Sequence, residues 1–433
     1  MPNIRIDFSN PIAPIKPVHG VNSGPRTKVF TYNATPLFIE AGLPFSRLHD
    51  VEYPYGSGEF VDIHCVFPDF DADETDPASY NFALTDLYIE AILAAGTKVL
   101  YRLGESIEHA PVKRHVHVPK DFAKWARIAE HIIRHYTEKY GADAFPYWEI
   151  WNEPDNGSSC WGGTKEEFAD FFEVVLTHLK SCFPTYKIGG PGQAGNWMWS
   201  EYLLREMQKR GVPLDFYSWH LYTHVPTELR TRAEMFRKLM DDCGFAEAEM
   251  LLDEWNYMEN WRNQAPSYRK LIAMHGAAFC AASLIEMQHS PTDAAAYFEA
   301  DVVKEWCGIF EVENMAIGLN NNGTLRPRKP FYAFRGYNAL YRMGNEVFSE
   351  SDTAGYYVCA AEKGAMIAVY GAEEDASPVT LNLDGLPGNG TIVFCRTNET
   401  DTRTEFVRIG VTDGTCTLTL PCKDDEIWEM EIL

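Results

Sequence analysis

The feature that most constrains this chain is a repeated cadence: an amphipathic helix, a glycine that stops it, then a short apolar strand. "NFALTDLYIEAILAAG" reads as a helix ended by Gly96, with "TKVLYRLGE" following as a strand. "KDFAKWARIAEHIIRHYTEKYG" puts Phe122, Trp125, Ile128, Ala129, Ile132, Ile133 and Tyr136 at helical spacing, stops at Gly141, and leads into "YWEIWNEPD". Thr164 and Glu167 form a capping-box pattern before "FADFFEVVLTHLKSCF", with the strand "YKIGG" beyond. Further helices are expected from about Ser200 to Gly211 and near 231–243, each again followed by a strand. This repetition is the signature of parallel βα units. The candidate strands are "KPVHGVN", "FSRLHDV", "KVLYRLG", "YWEIWNE", "YKIGGP", "DFYSWHLY", "MLLDEWN" and "AAAYFEA". Eight is the number that closes a (β/α)8 TIM barrel.

After about residue 344 the rhythm changes to short strands between Gly, Asn and Asp turns, such as "PVTLNLDGL", "GTIVFCRTN" and "CTLTLPC". They read as an all-β sandwich. The expected organisation is therefore a barrel over 15–343 and a β-sandwich over 344–433, joined by an N-terminal strand within 1–14 ("NIRIDF").

In such barrels the C-terminal ends of the strands carry the chemistry. The fourth strand ends in Asn152-Glu153-Pro154-Asp155, residue types that strand interiors disfavour, so the run delivers a carboxylate into a cleft. The seventh ends in Glu254, the sixth in His220 and Tyr222, the second in Arg47, His49 and Asp50. Glu153 and Glu254 would face each other across the barrel mouth, and paired carboxylates there are the equipment of glycoside hydrolysis. His49 has a plainer reading, as part of an ion-pair network with Arg47 and Asp50. Trp151 and Trp255 suit packing, whereas Trp261 and Trp306 are the better stacking platforms for a sugar.

Composition narrows the partners. A net charge of −24 argues against nucleic acid and anionic membranes, which demand basic patches. No apolar run approaches the roughly 18–20 residues of a membrane span. "MPNIRIDFSN" has neither a basic n-region nor an apolar h-region, so a cytoplasmic location is expected. The ten cysteines form no CxxC pair and read as reduced thiols. No metal or cofactor is expected. "DFDADETD" fails as a calcium loop, because Glu74 takes the glycine position and Tyr80 that of the closing acid. Gly190, Gly192 and Gly195 match a dinucleotide fingerprint, but Asp215 opens a strand where it should close one. His131 and His135 lie four apart on a helix without a third ligand and read as solvated.

The chain resembles glycoside hydrolase family 39, the β-xylosidase and α-L-iduronidase family of the clan A barrels. The resemblance runs from "VHGVNSGP" to "KPFYAFRGYNALYRMG" through "FSRLHDV", "EIWNEPD", "CWGGTKEEF", "KIGGPG", "DFYSWHLY" and "LLDEWNY". It implies a retaining exo-glycosidase with Glu153 as general acid/base and Glu254 as nucleophile. It further implies that Asn152 bonds the hydroxyl next to the anomeric carbon, that Tyr222 sits beside the nucleophile, and that His220 and His49 line the glycone subsite. The eighth strand departs from the family, with "YFEAD" where a Tyr-Trp pair is usual. A β-xyloside is the first expectation for the glycone; an arabinoside, galactoside or uronide are alternatives, the last paired by Arg262 or Lys16. A non-catalytic carbohydrate-binding barrel is the reading from another class, and the presence of both glutamates speaks against it. The expected partner is a soluble oligosaccharide or aryl glycoside, with assembly into a homo-oligomer left open.

Overall fold

The chain opens with a long strand, β1 (Asn3–Pro14), and then enters the barrel. Its eight strands are β2 (Gly20–Asn22), β3 (Phe45–Arg47), β4 (Lys98–Leu103), β5 (Tyr147–Ile150), β6 (Ile188–Gln193), β7 (Phe216–Thr223), β8 (Glu249–Tyr257) and β9 (Ala294–Tyr297). They pair in parallel and in chain order, and β2 closes the ring on β9. This is a computed structural model, and it describes residues 2–25, 33–48, 60–300, 307–314, 324–373, 378–412 and 414–433.

The local causes are those expected. β5 is buried at every position, as befits a strand covered on both faces. The helix Phe122–Tyr140 buries Trp125, Ile128, Ala129, Ile132, Ile133 and Tyr136, and the Asp121 side chain accepts from Lys124 N–H at 2.9 Å to cap its start. In the helix Lys165–Cys182 the capping box is complete: Glu167 N–H donates to Thr164 Oγ1 at 3.1 Å, and Thr164 N–H to Glu167 Oε2 at 2.8 Å. Two helices start earlier than expected. One begins at Trp197 because Asn196 caps it, the other at Pro226 because proline is well placed in a first turn. The His131/His135 pair is also not simply solvated: His135 stacks on Phe82 with ring centroids 3.7 Å apart and contacts Asp86 at 2.9 Å.

A small hairpin, β10 (Phe310–Asn314) and β11 (Thr324–Pro327), follows the barrel strands. After the helix Lys329–Tyr341 come β12 (Asn345–Ser351), β13 (Tyr356–Ala361), β14 (Gly364–Val369), β15 (Val379–Asp384), β16 (Gly390–Thr397), β17 (Thr404–Val411), β18 (Cys416–Leu420) and β19 (Glu426–Ile432). With β1 they form one sheet in the order β17-β16-β19-β14-β13-β12-β1-β15-β18. Leu381 and Leu383 of β15 share an apolar core with Phe394 of β16 and Trp428 of β19, so the sheet folds over itself like a sandwich. β1 lies inside this sheet, antiparallel to β12 and parallel to β15.

The helix Met274–Gln288 is buried at every position but His275, packed against both the barrel and strands β13, β14 and β19. At its end Gln288 Nε2 donates to Glu346 Oε2 at 2.6 Å, and His289 meets the other oxygen of Glu346 at 2.6 Å. Among the described residues no single helix is long and apolar enough to cross a membrane. All ten cysteines are free.

Candidate active site

Glu153 stands just past the C-terminal end of β5, on backbone that few side chains adopt. Trp151 and Glu153 have φ of 75° and 47°, in the left-handed region. Packing holds them there. Trp151 N–H donates to Leu103 O at 2.6 Å, its indole N–H to Cys160 O at 2.8 Å, and its ring is wedged among Trp125, Trp161 and Phe171. Glu153 N–H donates to Gly192 O at 2.9 Å. Gly192 itself has φ of 60°, and a Cβ there would lie 3.0 Å from Arg47 Nη2, 3.2 Å from Glu149 Oε1 and 3.2 Å from His220 Nε2. Only glycine lets that loop pass so close to the charged groups below it.

Glu254 projects from β8. The fully buried Arg47, at the end of β3, donates through Nη1 to Glu254 Oε1 at 2.8 Å, through Nη2 to Asn152 Oδ1 at 2.8 Å and through Nε to Glu149 Oε2 at 2.6 Å. Tyr222 O–H donates to the other oxygen of Glu254 at 2.8 Å. His220 bridges the two glutamates, with Nδ1 2.9 Å from Glu153 Oε1 and 3.5 Å from Glu254 Oε2. Glu153, His220 and Glu254 each place one such atom within 4.8 Å of the other two.

Burial works against the imidazolium of His220, yet Glu254, Asp253 and Glu153 together raise its pKa well above the ordinary histidine value. Burial and the neighbouring Glu254 carboxylate push the Tyr222 phenol up, so it stays a hydrogen-bond donor. Burial also pushes the Glu149 carboxyl up to about 8 despite the pull of Arg47.

A cavity of about 800 Å³ opens over this cluster, lined by Glu153, His220, Tyr222, Glu254, Trp261 and Phe298 among others. Trp261 is 53% exposed and stands edge-on to Tyr222, ring centroids 5.0 Å apart. Trp151 and Trp255 are buried in the core, and neither lines this cavity. The fold thus brings together Glu153, Glu254, Asn152, His220, Tyr222 and Trp261. His49 and Trp306 lie outside the described residues. Lys16 instead bonds the Ser290 carbonyl, and neither it nor Arg262 lines the cavity.

Sequence reasoning named Arg47 as a strand-end residue that could pair with His49 and Asp50, weighed Gly192 only as part of a dinucleotide fingerprint, and passed over Glu149 and Asp253. A usable signal existed for both: Glu149 and Asp253 are carboxylates inside otherwise apolar strand text, "YWEIW" and "LLDEW".

The spacing of Glu153, His220 and Glu254 also suits a divalent ion, but the Arg47 guanidinium bonded to Glu254 already supplies a fixed positive charge at that point. Three other groups of donors lie equally close among the described residues: Asp62–His64–Glu105, Glu130–His178–Cys182 and His289–Glu346–Cys359. In each an acid is already bonded, Asp62 by Arg102 at 2.7 Å, Glu130 by Arg134 at 2.7 Å and Glu346 by Gln288 at 2.6 Å.

Comparison with known proteins gives relatives in sequence and in fold. The chain is 24% identical over 318 residues to a β-xylosidase of Geobacillus stearothermophilus, covering 66% of this chain and 62% of that protein. It is 28% identical over 274 residues to a β-xylosidase of Caldicellulosiruptor saccharolyticus, covering 60% of this chain and 52% of the relative. The chain therefore spans only about half to three fifths of these relatives' length. Among solved structures, a glucosidase from Croceicoccus marinus superposes with a TM-score of 0.80 at 22% identity, covering 100% of this chain and 98% of the other. A monomeric β-xylosidase from Caulobacter crescentus CB15 gives 0.70 at 16% identity, covering 100% and 99%. At such identities the likeness is one of fold. The model of glycosyl hydrolases family 39 matches residues 47–369, a span that holds every residue of the cluster above, and the chain belongs to that family.

Proposed function

We propose that this protein is a retaining exo-glycosidase that hydrolyses terminal β-xylosides by double displacement. The observation that carries the reading is the spacing of Glu153 and Glu254, whose nearest oxygens lie within 4.8 Å of one another. Retaining enzymes hold their two carboxyl groups about 5–5.5 Å apart, whereas inverting ones leave roughly 6.5–9.5 Å for a water.

Glu254 attacks the anomeric carbon as the glycosidic bond breaks, and Glu153 delivers its proton to the departing oxygen. The sugar is then an ester of Glu254. Glu153, now ionised, takes a proton from water, the resulting oxygen attacks the anomeric carbon, and the ester bond to Glu254 breaks. Arg47 and Tyr222 each bond one oxygen of Glu254, which favours its ionised form and aims it. Asn152, held by Arg47, would bond the neighbouring hydroxyl, with His220 in the glycone subsite and Trp261 as a platform. The names of the two bacterial relatives support xylose as the sugar. A uronide is less well supported, because neither Arg262 nor Lys16 reaches the cavity.

The two glutamates can be separated by role. With Glu153→Ala, a dinitrophenyl xyloside, whose leaving group needs no proton, should still load the enzyme quickly and then stall, giving a burst. Azide should restore turnover and yield the β-azide. Glu254→Ala should show no burst, and azide should give the inverted azide. Loss of acid–base assistance alone should cost on the order of 10²–10⁴ in rate. An inverted azide from Glu153→Ala would reverse the roles, and a panel of nitrophenyl glycosides in which another sugar is cleaved faster would replace xylose.

A further inference from the structure

Beneath the two glutamates lies a second pair of acids that the reaction above does not use. Glu149 and Asp253 are 0% and 1% exposed, and their carboxyl groups converge on one nitrogen, Arg47 Nε. Glu149 Oε2 accepts from Arg47 Nε at 2.6 Å, and Oε1 accepts from Ser218 Oγ at 2.5 Å. Asp253 is served less well. Its Oδ2 lies 3.2 Å from Arg47 Nε and its Oδ1 3.4 Å from His220 Nε2. Neither oxygen, nor His220 Nε2, has a partner in hydrogen-bond geometry among the described residues.

Two buried carboxylates crowded on one guanidinium nitrogen repel strongly, and a proton held by the pair removes the repulsion. Such a proton would also give Asp253 the donor it otherwise lacks. We propose that Glu149 and Asp253 share one proton, and that the single charge left on Asp253 makes it a positioning residue, holding His220 as an imidazolium between Glu153 and Glu254. The inference rests on the reading of Glu153 and Glu254 given above.

The charge count supports it. Four carboxyl groups (Glu149, Glu153, Asp253, Glu254) face two cations, Arg47 and a protonated His220. With one proton on Glu149 and one on Glu153, the cluster is neutral in the state that starts the reaction. The groups facing the acid pair are Arg47 from β3, Ser218 and His220 from β7, and each other from β5 and β8. Those facing His220 are Glu153, Asp253 and Glu254. The individual shifts agree in direction: burial raises Glu149, while Arg47, Glu149 and His220 overcome burial to hold Asp253 low.

Isosteric amides separate the two acids. Asp253→Asn removes a negative charge, so the protons on the remaining groups leave more easily. The alkaline limb of kcat/KM should fall by about one unit or more, with kcat/KM down at least about tenfold. Glu149→Gln exchanges one neutral donor for another, so both limbs should stay within about 0.3 unit of wild type, whatever happens to kcat. A Glu149→Gln profile shifted as far as that of Asp253→Asn would show Glu149 ionised and overturn the proposal, as would an unmoved Asp253→Asn profile. Infrared difference spectra of wild type against Glu149→Gln give a second readout that needs no turnover and no Asp253 variant. A protonated-carboxyl band at neutral pH should be lost in Glu149→Gln, and its absence from wild type would also overturn the proposal. If the wild type cleaves no glycoside, the reading of Glu153 and Glu254 fails, and the infrared arm still decides the shared proton.

Discussion

Two buried arginines stand on neighbouring strands of the barrel, and their surroundings are not alike. Arg102 of β4 donates through Nη2 to Asp62 at 2.7 Å and to Ser106 Oγ at 2.9 Å. Asp62 is filled in turn by Ser106, through N–H at 2.8 Å and Oγ at 2.9 Å. One cation there meets one acid at bonding distance, and the neighbouring His64 and Glu105 pair with each other. Arg47 of β3 meets three acids, Glu149, Asp253 and Glu254, and the third of them opens on the cavity. Both arginines are 0% exposed, so burial does not distinguish them. Acids and bases matched one to one leave no charge to use. An excess of acid over base, with one acid facing open space, holds protons that neighbours can move, and that imbalance marks a candidate site.

The comparison breaks most visibly if the two regions exchange their losses. Glu254→Ala should lower kcat by on the order of 10⁴–10⁶. It should leave the melting temperature near wild type, because it removes one of several crowded acids. Asp62→Ala should do the opposite. It strands Arg102 as an unpaired buried cation and should destabilise the fold by about 3–5 kcal/mol in urea titrations. The folded fraction should keep kcat within about threefold. A catalytic collapse in Asp62→Ala at full stability would erase the distinction.

A smaller effect tests how Glu254 is kept ionised. Tyr222→Phe removes the donor to its Oε2 while Arg47 stays on Oε1. A hydrogen bond to the ionised form favours that form, so its loss raises the pKa of Glu254. The acidic limb should move up by about one unit, with kcat down by about tenfold. An unmoved limb with full activity would reduce Tyr222 to packing.

The smallest effect belongs to the rim. Trp261 is half exposed and carries little of the core, so Trp261→Ala should raise KM for aryl xylosides by about 2–10-fold without changing the melting temperature. An unchanged KM would mean that no substrate ring rests there.

Much of the architecture was readable along the chain because its causes are local. The helical face around Trp125 and Ile132, the capping box of Thr164 and Glu167, and the glycines that end helices each act within a few residues. Boundaries slipped where a single side chain decided them, at Asn196 and Pro226. The hairpin β10–β11 also went unseen. Its strands are short and carry no alternation strong enough to stand out.

What the sequence by itself determined is the barrel and the presentation of two carboxylates at its mouth. Period and strand-end polarity are properties of neighbouring residues, so Glu153 and Glu254 could be picked out before any coordinates. What only the tertiary structure decided is the company those carboxylates keep. Arg47, Glu149, His220 and Asp253 come from β3, β5, β7 and β8, far apart in the chain, and meet only when the barrel closes. Gly192 matters for the same reason, since the groups its missing side chain spares are contributed by three other strands. The charge carried by a buried acid depends on every charge and dipole within a few ångströms through space, and no order of residues along the chain states that sum.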